Sequence, residues 1–148
     1  MAPAPATLSP SELRAWRGML QVHAAVSAAL DAELHAEHGL SLSAYEVLTF
    51  LADADGERLR MSEIADRVLL SRSGLTRLVD RLVDQGLVER CQCSDDGRGA
   101  FAKLTDAGRT LAHAAQRTHR DGVHRLFLDR LTADDQRALA DAWARVLD

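Results

Sequence analysis

Four side chains in the middle of the sequence, Arg72, Ser73, Thr76 and Arg77, stand at i, i+1, i+4 and i+5. On a helix that spacing gathers them on one face, just after Ser71. Each carries a hydrogen-bond donor, and arginine adds a fixed charge on a planar fork that can pair bidentately with guanine. The chemistry open to such a face is neutralising phosphates and reading base edges. The same residue types also make an ordinary solvated helix face, so the surroundings must decide. Arg98 lies between Gly97 and Gly99, where a side chain has little to pack against. A guanidinium held out there can enter a narrow minor groove, or simply solubilise a turn.

Other reactive residues offer less. Cys91 and Cys93 fall on the same face of a strand, too close for an easy intrachain disulfide. Arg90 beside them could activate a thiol for an oxidation switch, but reduced structural thiols are the expectation. His35 and His38 make an i, i+3 pair next to Glu37, the beginning of a metal site without further converging ligands. His113, His119 and His124 lack i, i+4 spacing, so no metal and no cofactor are expected. No Gly-rich phosphate loop, nucleophile elbow, HExxH run or paired buried carboxylates occur, which argues against an enzyme.

Composition sets the frame for these residues. At 148 residues and 47% hydrophobic the chain suits one domain with a real core. A net charge of -4 is unfavourable for a phosphate-binding protein taken whole, yet the charge is unevenly placed. Residues 58–109 hold ten Lys/Arg against eight Asp/Glu, and the remainder eight against fourteen. The start has no basic region followed by an apolar run, and no stretch reaches the ~20 apolar residues of a spanning helix. The expectation is a cytoplasmic protein with no membrane contact.

Helix signals surround the basic middle. Residues 1–8 are rich in Ala and Pro and read as a flexible arm. Ser9-Pro10-Ser11-Glu12 is a capping box that opens a long helix ending near Gly39. Its stripe of Leu13, Trp16, Leu20, His23, Ser27, Leu30 and Leu34 needs a partner surface. Ser43-Ala44-Tyr45-Glu46 reads as a second capping box, opening a helix that ends near Asp55-Gly56. A short third helix runs from a cap at Ser62 through Ile64 and Val68. A fourth follows Ser71, with Leu75, Leu78, Val79, Leu82 and Val83 on one side, and stops at Gly86. Then the runs VERCQC and AFAKL flank Ser94-Asp95-Asp96-Gly97-Arg98-Gly99, a hairpin signal that predicts a two-stranded wing. Thr105 and Thr132 cap the last two helices.

The predicted class is mainly α with a small β-hairpin wing: a winged helix-turn-helix lobe beside a helical region. The run MSEIADRVLLSRSGLTRLVDRLVDQGLV from Met61 to Val88, followed by SDDGRGAFAKLTDAGR, resembles the MarR family of bacterial winged-helix regulators. The likeness is most specific between about residues 41 and 110. It implies a homodimer joined through helices of residues 9–40 and 105–148, with residues 41–104 as the lobe that binds double-stranded DNA at a pseudo-palindrome, usually as a repressor. On matching positions Ser71, Arg72, Ser73, Thr76 and Arg77 would face the major groove. Arg98 matches the family's minor-groove arginine, and Asp96 the aspartate that steadies the wing. Gly97 departs from the second arginine often found there.

Similar proteins often bind a small aromatic effector between the two regions, which here would involve Trp16, His23 and Tyr45. The polar interruptions His23 and Ser27 in the first helix's stripe hint at such a cavity, and a hydrogen-bonded core histidine beside a structural tryptophan explains them equally. Two alternatives stay open: a metal- or redox-responsive regulator of the same fold, and a winged-helix module that binds protein. Redox-responsive relatives generally carry their cysteine in the first helix, and this first helix has none.

Overall fold

The structure, a computed structural model, describes residues 7–68, 70–92 and 99–148. Helix α1 (Pro10–His38) opens as its sequence demands. Ser9 Oγ accepts from the Glu12 amide at 3.3 Å while the Glu12 carboxylate accepts from the Ser9 amide at 2.7 Å. These bonds hold the Glu12 carboxyl below the usual carboxylate range. Gly39 ends the helix at φ 65°, a left-handed position natural to glycine.

Helix α2 (Leu42–Asp53) starts earlier than its sequence suggests. Its cap is Ser41, not Ser43: Ser41 Oγ accepts from the Ala44 amide at 3.1 Å, and Asp31 of α1 accepts from the Leu42 amide at 2.8 Å. Leu40 must be buried as soon as α1 ends, which brings Ser41 to the capping position and leaves Ser43 inside the first turn. After a 3-10 turn, Asp55–Glu57, comes a strand that the sequence reading did not contain, β1 (Arg58–Arg60). Helix α3 (Met61–Val68) then begins one residue before Ser62, which therefore lies inside the helix and does not cap it. Helix α4 spans Arg72–Asp84, strands β2 and β3 span Val88–Gln92 and Ala100–Leu104, and α5 spans Asp106–Leu126. A 3-10 turn, Leu128–Arg130, leads to α6 (Ala133–Leu147).

The strands form an antiparallel sheet in the order β1-β3-β2, three strands where the sequence suggested two. Leu59 pairs with Ala102, and Val88 with Leu104, so one face of the sheet joins the core. β1 escapes the period-2 pattern because only Leu59 of its three residues is buried. The core gathers Leu34, Leu40, Val47, Leu48, Leu51, Ile64, Leu75, Val79, Leu82 and Val88. Two glycines let α5 approach it. A Cβ on Gly108 would meet the Leu87 carbonyl oxygen at 2.1 Å, and one on Gly122 would meet Leu30 Cδ2 at 2.6 Å. The hairpin turn, with Asp96, Arg98 and Cys93, lies outside the described residues, as does most of the expected N-terminal arm.

Candidate nucleic-acid interface

Ser71 caps α4, its Oγ accepting from the Gly74 amide at 3.1 Å. From that fixed start the helix buries Leu75, Leu78, Val79 and Leu82 and turns Arg72, Ser73, Thr76 and Arg77 to solvent. The structure therefore brings together five of the residues singled out in the sequence. Thr76 Oγ1 donates to the Arg72 carbonyl at 2.9 Å, and Arg77 Nε donates to the Ser73 carbonyl at 3.4 Å. Among the described residues neither Arg72 nor Arg77 takes part in an ion pair. Their charge stays available to an external anion.

The sheet lies beside this helix. On its outer face the guanidinium groups of Arg58 and Arg60 lie over the Phe101 ring, 5.7 and 5.2 Å from its centre. On the face toward α4, Arg90 Nη2 stands 2.8 Å from Asp80 Oδ1. In sequence Arg90 figured only as a neighbour of Cys91. The available signal was parity, since Val88 and Arg90 share one face of a strand. A second clamp joins the lobe to α5. Arg109 donates to Glu57 through Nε at 2.6 Å and through Nη2, and to Asp106 through Nη1 at 2.7 Å. That guanidinium holds the Glu57 carboxyl below the usual range. Glu57 itself sits at φ 54°, a left-handed position for a residue other than glycine.

The three residues named for an effector stand apart in character. Tyr45 is buried and its ring stacks on His119 at a centre distance of 4.7 Å. Trp16 is 55% exposed and His23 is exposed. Burial pushes the Glu46 carboxyl above the usual carboxylate range, with the nearby His23 opposing that rise. An open cavity of about 200 Å³ lies elsewhere, between the α1–α2 junction and α4, lined by residues that include His35, Ser41, Leu78, Arg81 and Gln85. His38, named with His35 and Glu37 for a metal, ties α1 to α5. Thr118 Oγ1 donates to Glu37 at 2.9 Å, so His38 Nε2 donates to Thr118 Oγ1 at 2.8 Å. Cys91 is a free thiol on β2, half-buried.

Helix, turn, helix and antiparallel hairpin, in this order and packed on one core, define a winged helix-turn-helix protein. Residues 38–99 match the model of the MarR family. The chain is similar to Sco3205, a MarR family transcriptional regulator from Streptomyces coelicolor solved in complex with DNA. The two are 34% identical, with 97% of this chain and 90% of that one covered at a TM-score of 0.90. It is also 27% identical over 121 residues to the HTH-type transcriptional regulator YdgJ of Bacillus subtilis, covering 82% of this chain and 72% of YdgJ. Against the regulator PrsX of Escherichia coli it is 29% identical over 106 residues, covering 72% of this chain and 54% of PrsX. The chain belongs to the MarR family and is a transcriptional regulator of the helix-turn-helix type, not an enzyme. Among the described residues no helix is long and apolar enough to cross a membrane.

Proposed function

We propose that this chain is a cytoplasmic repressor that binds double-stranded DNA as a homodimer, each α4 entering a major groove of a pseudo-palindromic operator. The observation that carries the proposal is the outward face of α4, where two exposed arginines, without an ion pair among the described residues, flank Ser73 and Thr76. Phosphate neutralisation supplies the affinity of such a surface, and base edges its specificity. Sco3205, alike in fold along nearly the whole chain and solved in complex with DNA, supports DNA as the partner. Asp96 and Arg98 belong to the proposal as the wing's contribution, with Arg98 in the minor groove.

Exposed apolar groups on two helices support the dimer. Trp16, Leu20 and Val22 of α1, and Trp143, Val146 and Leu147 of α6, are all exposed in the single chain. A small aromatic effector acting near Trp16, His23 and Tyr45 completes the proposal, releasing DNA by changing the spacing of the two lobes. Selection of bound duplexes from random DNA, followed by a salt titration, tests the whole. The expected result is one enriched pseudo-palindrome with half-sites ~10 base pairs apart and a log–log salt slope near -0.9 per phosphate contact. Binding to no duplex at moderate ionic strength overturns it and favours a module that binds protein.

A further inference from the structure

Arg90 stands at the middle of β2, opposite Ala102 of β3 and on the same face as the buried Val88. From there its guanidinium crosses to α4, with Nη2 2.8 Å from Asp80 Oδ1 and 3.5 Å from the Thr76 carbonyl oxygen. Thr76 and Asp80 are one helical turn apart. A single side chain of the hairpin therefore grips two successive turns of the helix, on the flank that carries Thr76. Asp80 enters no other ion pair among the described residues. The side chains are 36% and 57% exposed, and an ion pair so open to water adds little to folding stability. Its reach, from hairpin to helix, suits orientation better than stability.

We propose that Arg90 is a positioning residue for DNA binding: through Asp80 and Thr76 it fixes the angle between the β2–β3 hairpin and α4. The inference rests on the proposal that α4 contacts DNA. A hairpin and helix already held at one angle lose no orientational freedom when both meet the duplex, whereas a hairpin free to swing must be ordered on binding. Asp80 lies on the DNA-facing lobe as a carboxylate, which alone would repel phosphates. Its place there is accounted for by what it holds.

The decisive variant is Asp80→Ala, measured by fluorescence anisotropy on a duplex selected with the unmodified protein. The substitution removes a negative charge near a polyanion and installs the best helix former, so both general effects favour binding. Positioning gives the opposite sign: about tenfold weaker binding, with an unchanged salt slope because Asp80 neutralises no phosphate. Unchanged or tighter binding overturns the proposal. Arg90→Ala is expected to lose about as much, and the double variant no more than either single one. Multiplying losses, or a slope shallower by about 0.9 in Arg90→Ala, would make Arg90 an independent phosphate contact and overturn the proposal too. Circular dichroism melts confirm that each variant folds, and Asp80→Asn, expected to lose less, serves if Asp80→Ala does not. Should the unmodified chain bind no duplex, the reading of α4 fails; should it bind while Asp80→Ala binds equally well, only the positioning role fails.

Discussion

Arg77 is the residue on which the proposed specificity is tested first, because its fork of donors, like that of Arg72, stands exposed on α4's outer face and is suited to a bidentate contact, here directly beside Thr76. The Thr76 hydroxyl already donates its hydrogen bond to the Arg72 carbonyl, which leaves its lone pairs and its methyl group for the proposed contact with DNA. Arg77→Ala is expected to weaken operator binding by about 1–3 kcal/mol and to narrow the gap between operator and unrelated DNA. Its melting temperature should scarcely move, since the side chain is exposed and holds only a long hydrogen bond to the Ser73 carbonyl, with no ion pair among the described residues. Equal losses on every duplex would reduce Arg77 to a phosphate contact. These surface residues were legible in sequence from helical spacing alone. Tyr45 and His119 were not, because a stack between residues of α2 and α5 leaves no local pattern. Burial of His119 disfavours its charged form and lowers its pKa. The unfolded chain therefore binds a proton there more readily than the native one, and native stability falls as pH drops through the ordinary imidazole range. His119→Phe is expected to flatten the melting temperature between about pH 7 and pH 5.5 relative to the unmodified protein. An unchanged slope would assign the loss to other groups.

Elements announced themselves in sequence where their ends carry their own chemistry. Ser9, Ser71, Thr105 and Thr132 each accept from a backbone amide at the start of a helix, and Gly39 and Gly86 take positive φ where helices stop. What stayed hidden depends on tertiary context: β1 exists because β3 offers it an edge, and the Ser41 cap because Leu40 must be buried. The joint between hairpin and α5 is of this second kind. Gly108 lies in α5's first turn, where alanine would gain about 1 kcal/mol of helix propensity. Its Cβ, however, would press on the Leu87 carbonyl oxygen at 2.1 Å and on Leu104 Cδ1 at 2.8 Å. That carbonyl is backbone and accepts from the Thr105 amide at 3.1 Å, so it cannot simply swing away. Overpacking of this kind costs about 1–3 kcal/mol or more and is expected to win, lowering the melting temperature of Gly108→Ala by several degrees. A thermal melt at or above that of the unmodified protein would mean that α5 slides along the strand without strain.

At the scale of the whole molecule, a single chain leaves its ends unfinished. The 15 residues of α6 include none that is buried, and an isolated helix of that length is marginal in water. Trp143, Val146 and Leu147 on α6, with Trp16, Leu20 and Val22 on α1, keep 40% to 85% of their surface exposed. Burying such side chains returns roughly 25 cal/mol for each Å² of apolar surface, and an obligate dimer ordinarily covers more than ~2,000 Å². A second copy that covers these two helices would therefore stabilise α6 and join two recognition helices by one act of folding. Charge distribution fits this division, with the basic excess confined to residues 58–109 and the acidic excess outside them. Leu20→Asp combined with Val146→Asp separates the roles, since neither residue belongs to the α4 face. The expected product is a monomer by sedimentation, with reduced helical circular dichroism as α6 frays. Its operator affinity should fall by about a hundredfold or more, because two half-sites would no longer be held by linked lobes. Binding to a single half-site should change far less, since α4 and its arginines stay in place. A dimer that persists, or a full operator bound as tightly as before, would show that these apolar faces serve another partner and that one chain reads DNA alone.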